Sequence, residues 1–268
     1  MSASLVGSEM CIRDRYCDEV KADGFDLVDD FSDLFGMNAA GTDAKMRNTK
    51  ESILEAQFTP GAGNWCTWMF GRDLVNWNNN FTWAKWVTPS RDLISTFKQE
   101  GDEVRFKESV VYYDCGWSNY YPSDNYPFMY KCRSANSSII KYRYADVLLL
   151  KAEALIMQDT PDLEGAADII DEVRDRAKLG ALSSSTRSNK DALLNALLKE
   201  RRLELAFEGQ RWFDLVRLDK VEEVMNAVHA KDSGRKAQVY TYDKNSYRLP
   251  IPQSVIDAND KIHQNPGY

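Results

Sequence analysis

The densest collection of chemistry-bearing side chains is LLKERRLELAFEGQRWFDLVRLD (197–219), where four arginines, three glutamates and two aspartates surround a Trp-Phe pair. Acids and bases this close can serve proton transfer, dock a charged partner, or brace a fold through ion pairs. On a 3.6-residue period Leu194, Leu197, Leu198 and Leu205 share one stripe, and Arg201 falls inside it. Its guanidinium is therefore at least partly buried, and burial without carboxylate partners costs several kcal/mol. Glu204, Glu208 and Asp214 in the same block, or Asp146 and Glu153 on an earlier helix, can supply them. Bracing is the expected role, with Trp212 and Phe213 as an apolar plug for a short helix over Arg211–Arg217.

Catalytic readings meet geometric obstacles. Glycoside hydrolysis needs two carboxylates facing each other across a sugar at about 5–5.5 or 6.5–9.5 Å. Asp146 and Glu153 lie two turns apart on one helix, about 10 Å along its axis, and cannot flank a bond from both sides. Five cysteines show no CxxC pair, and only His229 and His263 are present, so zinc-ligand spacing is absent and no metal or cofactor is expected. Cys115 and Cys132 could close a disulfide in an exported protein, although free thiols packed as small hydrophobes are the simpler expectation.

A second kind of chemistry resides in two irregular stretches, NWNNNFTWAKW (76–86) and CGWSNYYPSDNY (115–126). Flat aromatic rings flanked by amides and hydroxyls suit a ligand that offers both an apolar face and a polar rim. Trp77, Asn79 and Trp83 in the first stretch, and Trp117, Asn119 and Tyr120 in the second, are the candidate ligand-binding residues. Nucleic acid is excluded as a partner by a net charge of -7 at pH 7, which provides no broad basic field. No run approaches the roughly 18 consecutive apolar residues of a membrane span.

Helices and a few strands must position these stretches. Arg143–Met157 and Leu163–Leu179 each carry an Ala- and Leu-rich stripe and are expected to pair antiparallel, the second capped by Gly180. Repeated alanine at the seam suits tetratricopeptide-type packing. A third helix is expected from an N-cap at Ser188 to Gly209, and another follows Thr88-Pro89-Ser90. Val104–Asp114 and Ile53–Phe58 alternate as strands, FDLVDDFSDLFG follows a short helical period, and Trp117–Arg133 reads as one aromatic loop. The start, MSASLVGSEMCIRDR, has neither helical period nor signal-peptide core, and Ser4–Arg15 resembles translated sequencing adaptor. Residues 1–15 are accordingly expected to be a non-native leader, with the native chain beginning near Tyr16.

KYRYADVLLLKAEAL (141–155), ALLKERRLELAFEGQRWFDLVR (196–217) and the closing LPIPQSVIDAN…QNPGY resemble the SusD/RagB family of nutrient-binding surface lipoproteins. Weaker similarity runs from Tyr16 through the intervening segments. The resemblance implies a mainly α, SusD-like fold of tetratricopeptide-type helix pairs with long irregular loops and a few short strands. Residues 16–268 would form its C-terminal part, with the N-terminal repeat helices, signal peptide and lipid anchor missing. It further implies non-catalytic binding of an oligosaccharide, polysaccharide or other nutrient at the outer-membrane surface, and delivery to a SusC-like TonB-dependent transporter. Membrane attachment would run only through that lipid anchor. A tetratricopeptide-type interaction scaffold is the alternative.

Overall fold

The computed structural model describes residues 3–59, 74–75, 87–115, 120–231 and 241–268, which fall into two compact units, Met1–Gly209 and Gln210–Tyr268. The first holds α1 (Ala3–Ala22), α2 (Ser32–Phe35), β1 (Ser52–Ala56), α3 (Arg91–Glu100), α4 (Glu103–Ser109), β2 (Val110–Tyr113), β3 (Tyr126–Met129) and β4 (Ile139–Arg143). It continues through α5 (Tyr144–Met157), α6 (Leu163–Arg176), α7 (Ser184–Arg187) and α8 (Lys190–Glu204). The second holds α9 (Arg211–Arg217), α10 (Val221–Lys231), a 3-10 turn (Lys244–Tyr247) and α11 (Gln253–Ala258). The architecture is mainly α, as the sequence implies.

The core of the first unit is the α5–α6 pair closed by α8. Ala145, Ala152, Ala166 and Ala167 are buried at the seam, where a methyl group is all that separates the backbones, and Leu149, Ile156, Ile170, Val173, Leu193 and Leu197 fill the surrounding space. Ala3–Ala22 is one continuous helix lying along α5, although no helical period is legible in its first residues. Lys151 of α5 donates to Asp18 at 2.5 Å, and Arg13 donates to Glu153 at 3.1 Å.

Two other boundaries move for identifiable reasons. Helix α6 stops before Gly180: Lys178 takes the left-handed conformation (φ 62°), its N–H donates to the Asp175 carbonyl, and the Leu179 N–H donates to that of Arg174. That is a Schellman ending with lysine where glycine is usual. Helix α8 is capped by the Asn189 side chain rather than Ser188 and ends at Glu204, with Phe207 (φ 66°) and Gly209 (φ 83°) turning the chain away.

The expected strand over Val104–Asp114 is half helix. The Asp102 carboxylate caps α4 by accepting from the Arg105 N–H, and only Val110–Tyr113 is extended. β2 pairs antiparallel with β3, Val110 opposite Met129 and Tyr113 opposite Tyr126, so the aromatic stretch after Cys115 lies between the strands of a hairpin rather than in one unbroken loop. β1 pairs with β4 across a bulge. Cys115 and Cys132 are buried and are not joined in a disulfide.

What ties these elements together is charge. The fully buried Glu204 carboxylate ends α8 and accepts from three guanidiniums: Arg143 at 2.5 Å, Arg105 at 3.0 Å, and Arg176. Arg143 also donates to Glu51 at 2.7 Å and through Nε to Glu208 at 2.7 Å, while Arg105 donates to Asp102 and Glu200 at 2.5 Å each. Arg176 donates to Glu51 (2.6 Å), Arg174 to Glu200 (3.1 Å) and Lys131 to Glu208 (2.6 Å). Five cations thus meet five shielded carboxylates in this cluster, whose charges balance.

Burial alone would raise the Glu204 pKa, but the guanidiniums of Arg176, Arg143 and Arg105 outweigh it and hold the group well below the ordinary carboxylate range. Because this folded-state value lies below the unfolded one near 4.3, the stabilisation is complete above that pH and drains away as pH falls toward the folded value. Replacement Glu204→Gln should cost about 3–5 kcal/mol at neutral pH in chemical denaturation, since three arginines lose their shared counter-charge. The gap between wild type and variant should narrow as pH falls below about 4.

Candidate functional site

The sequence-derived ion-pair residues are distributed over more than one cluster. Arg201 is 1% exposed and donates to the Asp146 carboxylate at 2.8 Å. Glu204 and Glu208, candidates for the same guanidinium, serve the arginines and lysine of the central network instead, and Glu153 accepts from Arg13. In the second unit Asp214 accepts from Arg217 at 2.8 Å. Trp212 stands 6.3 Å from the Tyr242 ring, but Phe213 is 64% exposed, so the expected two-residue apolar plug does not form. An exposed phenylalanine next to an inward tryptophan follows from the roughly 100° step between helical neighbours.

Of the candidate ligand residues, Trp77, Asn79, Trp83, Trp117 and Asn119 lie outside the described residues. Tyr120 is described. It is half-buried, with its ring edge-on to Tyr121 at 4.8 Å, and the Arg91 guanidinium lies 4.2 Å from its centroid and 4.5 Å from that of Tyr121. Arg91 also donates to the Tyr120 carbonyl. One cation therefore sets the attitude of two rings.

The stack is anchored to the first unit's core. The Tyr121 hydroxyl donates to the Pro89 carbonyl at 2.8 Å, and its ring meets Tyr126 at 5.8 Å. The Tyr126 hydroxyl shares a 2.8 Å hydrogen bond with Thr88, and its ring continues to buried Phe128 at 5.0 Å. Burial pushes the Tyr126 hydroxyl pKa up, against a smaller pull from Thr88. Ser90 caps α3 by accepting from the Leu93 N–H, which fixes Arg91 in the first helical turn.

Beside the stack opens a hollow of about 440 Å³, whose wall includes Arg91, Lys98, Gln99, Tyr112, Tyr121 and Asn125. Two aromatic rings, two amides and two cations face one space, the mixture of apolar faces and hydrogen-bonders that a sugar ring meets well. Tyr112 is raised in pKa by burial and remains a neutral phenol, able both to donate and to accept. The sequence reading located the 115–126 stretch but missed Arg91, Lys98, Gln99 and Tyr112. They come from α3 and β2, and only the hairpin brings them to the tyrosines. Among the described residues no group of three or more His, Cys, Asp or Glu is placed to hold a metal.

Known proteins now resolve the kinship. The pattern that defines the SusD family matches residues 124–268, more than half of the chain. The chain belongs to the SusD family. SusD-like protein P38 of Formosa agariphila is 41% identical over 139 residues, and SusD-like protein P2 of the same organism is 34% identical over 142. These alignments cover 50% and 51% of this chain but 25% and 27% of those proteins, so the chain matches about a quarter of their length.

Surface glycan-binding protein A from Bacteroides thetaiotaomicron, solved with laminarihexaose, superposes with a TM-score of 0.73 at 18% identity, covering 98% of this chain and 61% of that one. A SusD superfamily protein from Parabacteroides distasonis superposes with a TM-score of 0.70 at 21% identity over 98% and 58%. Likenesses at these identities establish a SusD-like fold for the chain.

Replacing Arg91 with Ala removes the guanidinium from two tyrosine faces and a donor from the Tyr120 carbonyl. We expect a loss of about 1–2 kcal/mol, local to the hairpin. Hydrogen exchange should quicken over 120–126 and leave α5 and α6 unchanged.

Proposed function

We propose that this protein binds glycan without altering it, at the surface of the outer membrane, and passes it to a SusC-like TonB-dependent transporter. The observation that carries the reading is the hollow beside Tyr121: aromatic faces, amides and a phenol line it, and among the described lining residues there is no carboxylate that could protonate a glycosidic oxygen or attack an anomeric carbon. The interior acids are committed elsewhere, Asp146 to Arg201 and Glu153 to Arg13, which leaves them as poor general acids.

Support comes also from the relatives. One fold neighbour holds laminarihexaose, and another, 24% identical with a TM-score of 0.60, is described as a laminarin-binding SusD-like protein. A β-glucan is therefore the first polysaccharide to try, although the lining chemistry suits any sugar that presents an apolar face. Trp77, Asn79 and Trp83, together with Trp117, Asn119 and Tyr120, are the proposed loop contacts that would extend the site beyond the hollow.

Native gels cast with laminarin and a panel of other polysaccharides test this directly. The purified chain should be retarded by at least one of them, and Tyr121→Ala, Trp77→Ala or Trp83→Ala should each weaken binding by about 1–3 kcal/mol per lost platform, with the far-UV spectrum unchanged. No reducing ends should be released on prolonged incubation. Unaltered mobility in every gel, or full affinity in all three variants, would remove the reading.

A further inference from the structure

We infer that the hollow between α3 and the β2–β3 hairpin selects an anionic saccharide, one bearing a carboxylate or sulfate, over its neutral counterpart. The inference rests on the glycan-binding reading and adds the charge class of the ligand. What carries it is the distribution of charge on α3. Asp92 accepts from Arg202 at 2.7 Å, and Glu100 accepts from Lys199 at 2.5 Å and from Arg174 at 3.2 Å. Both acids of the helix are thereby neutralised by the helices packed behind it.

Lys98 is different. It is exposed in the last turn of α3, lines the hollow, and forms no ion pair or side-chain hydrogen bond with any described residue. In a chain of net charge -7 this wall carries positive charge with no acid among its described lining residues. An isolated surface lysine is ordinarily just solvated. Here it shares a concave wall with aromatic faces and amides, where a sugar seated on Tyr121 or Tyr112 would bring its substituents within reach. Asn125 and Gln99 lie on the same wall, and Gln99 is steadied by donating to Ser95 at 2.8 Å. Arg91 shapes the floor by stacking on the tyrosines, and the inference does not depend on its charge being available.

Matched pairs of polymers separate the contributions: polygalacturonate against its methyl ester for the carboxylate, and dextran sulfate against dextran for the sulfate. Binding of the complete chain is measured by gel retardation and calorimetry at about 0.05 and 0.5 M NaCl, where the screening length falls several-fold. The charged member of at least one pair should bind about five- to tenfold tighter at low salt, an advantage that shrinks at high salt. Lys98→Gln should abolish most of that advantage, Lys98→Arg should restore it, and Lys190→Gln, at the opposite end of α8 from the Lys199 and Arg202 that pair with α3, should have no effect.

Which pair shows the preference identifies the anion. Equal affinity for charged and neutral members overturns the charge inference and leaves glycan binding standing, as does equal loss in Lys98→Gln and Lys190→Gln. Absence of binding to every saccharide overturns both.

Discussion

One carboxylate, that of Glu204, holds the arrangement together. It sits at the end of α8 with arginines from α4, from the end of β4 and from α6 converging on it, and those elements are distant in sequence. No apolar contact could define their mutual placement so narrowly, because dispersion is non-directional while a guanidinium–carboxylate bond fixes both distance and plane. Several such ions are costly to bury singly, and the arrangement is tolerable only because each has an opposite. Lys131 shows how close the balance is. Burial lowers its pKa to about 8 even though Glu208 lies 2.6 Å away.

The network reaches the candidate site through α4 and the strand that follows it. Arg105 commits α4 to the ion cluster, α4 leads straight into β2, and β2 pairs with β3, whose Tyr126 carries Tyr121 and Tyr120 on its edge. The tyrosine stack is thus tied through two paired strands to the buried ion cluster, the kind of support that the proposed binding surface requires. Preorganisation of this kind lowers the ordering cost of binding and involves no covalent chemistry.

The α5–α6 pair could be read from the chain because Ala and Leu recur at the helical period and the buried stripe is apolar. The same logic failed at Val104–Asp114. There Arg105 and Glu108 are interior residues, and a pattern that equates polar with outward assigns them to the wrong face, turning a helix into an alternating strand. The end of α6 misled for another reason: Gly180 was available, yet Lys178 accepts the left-handed conformation, and the carbonyl of Gly180 instead receives a bond from Arg174 at 2.9 Å. At the candidate site, composition marked the 115–126 stretch, of which Cys115 and 120–126 are described. The cations and amides from α3 left no local signal, since their role arises only when a hairpin folds against a helix.

The five-against-five charge balance also governs how such a chain can drift in sequence. Loss of any single cation leaves the cluster one buried positive charge short, so solitary changes at these positions are costly even when the new side chain fits the space. Departure has to be concerted, an acid and its base giving way together to matched apolar residues, and each such pair is coupled through Glu204 to the others. The interior therefore behaves as one heritable unit, while the exposed residues of the hollow's wall can be revised one at a time.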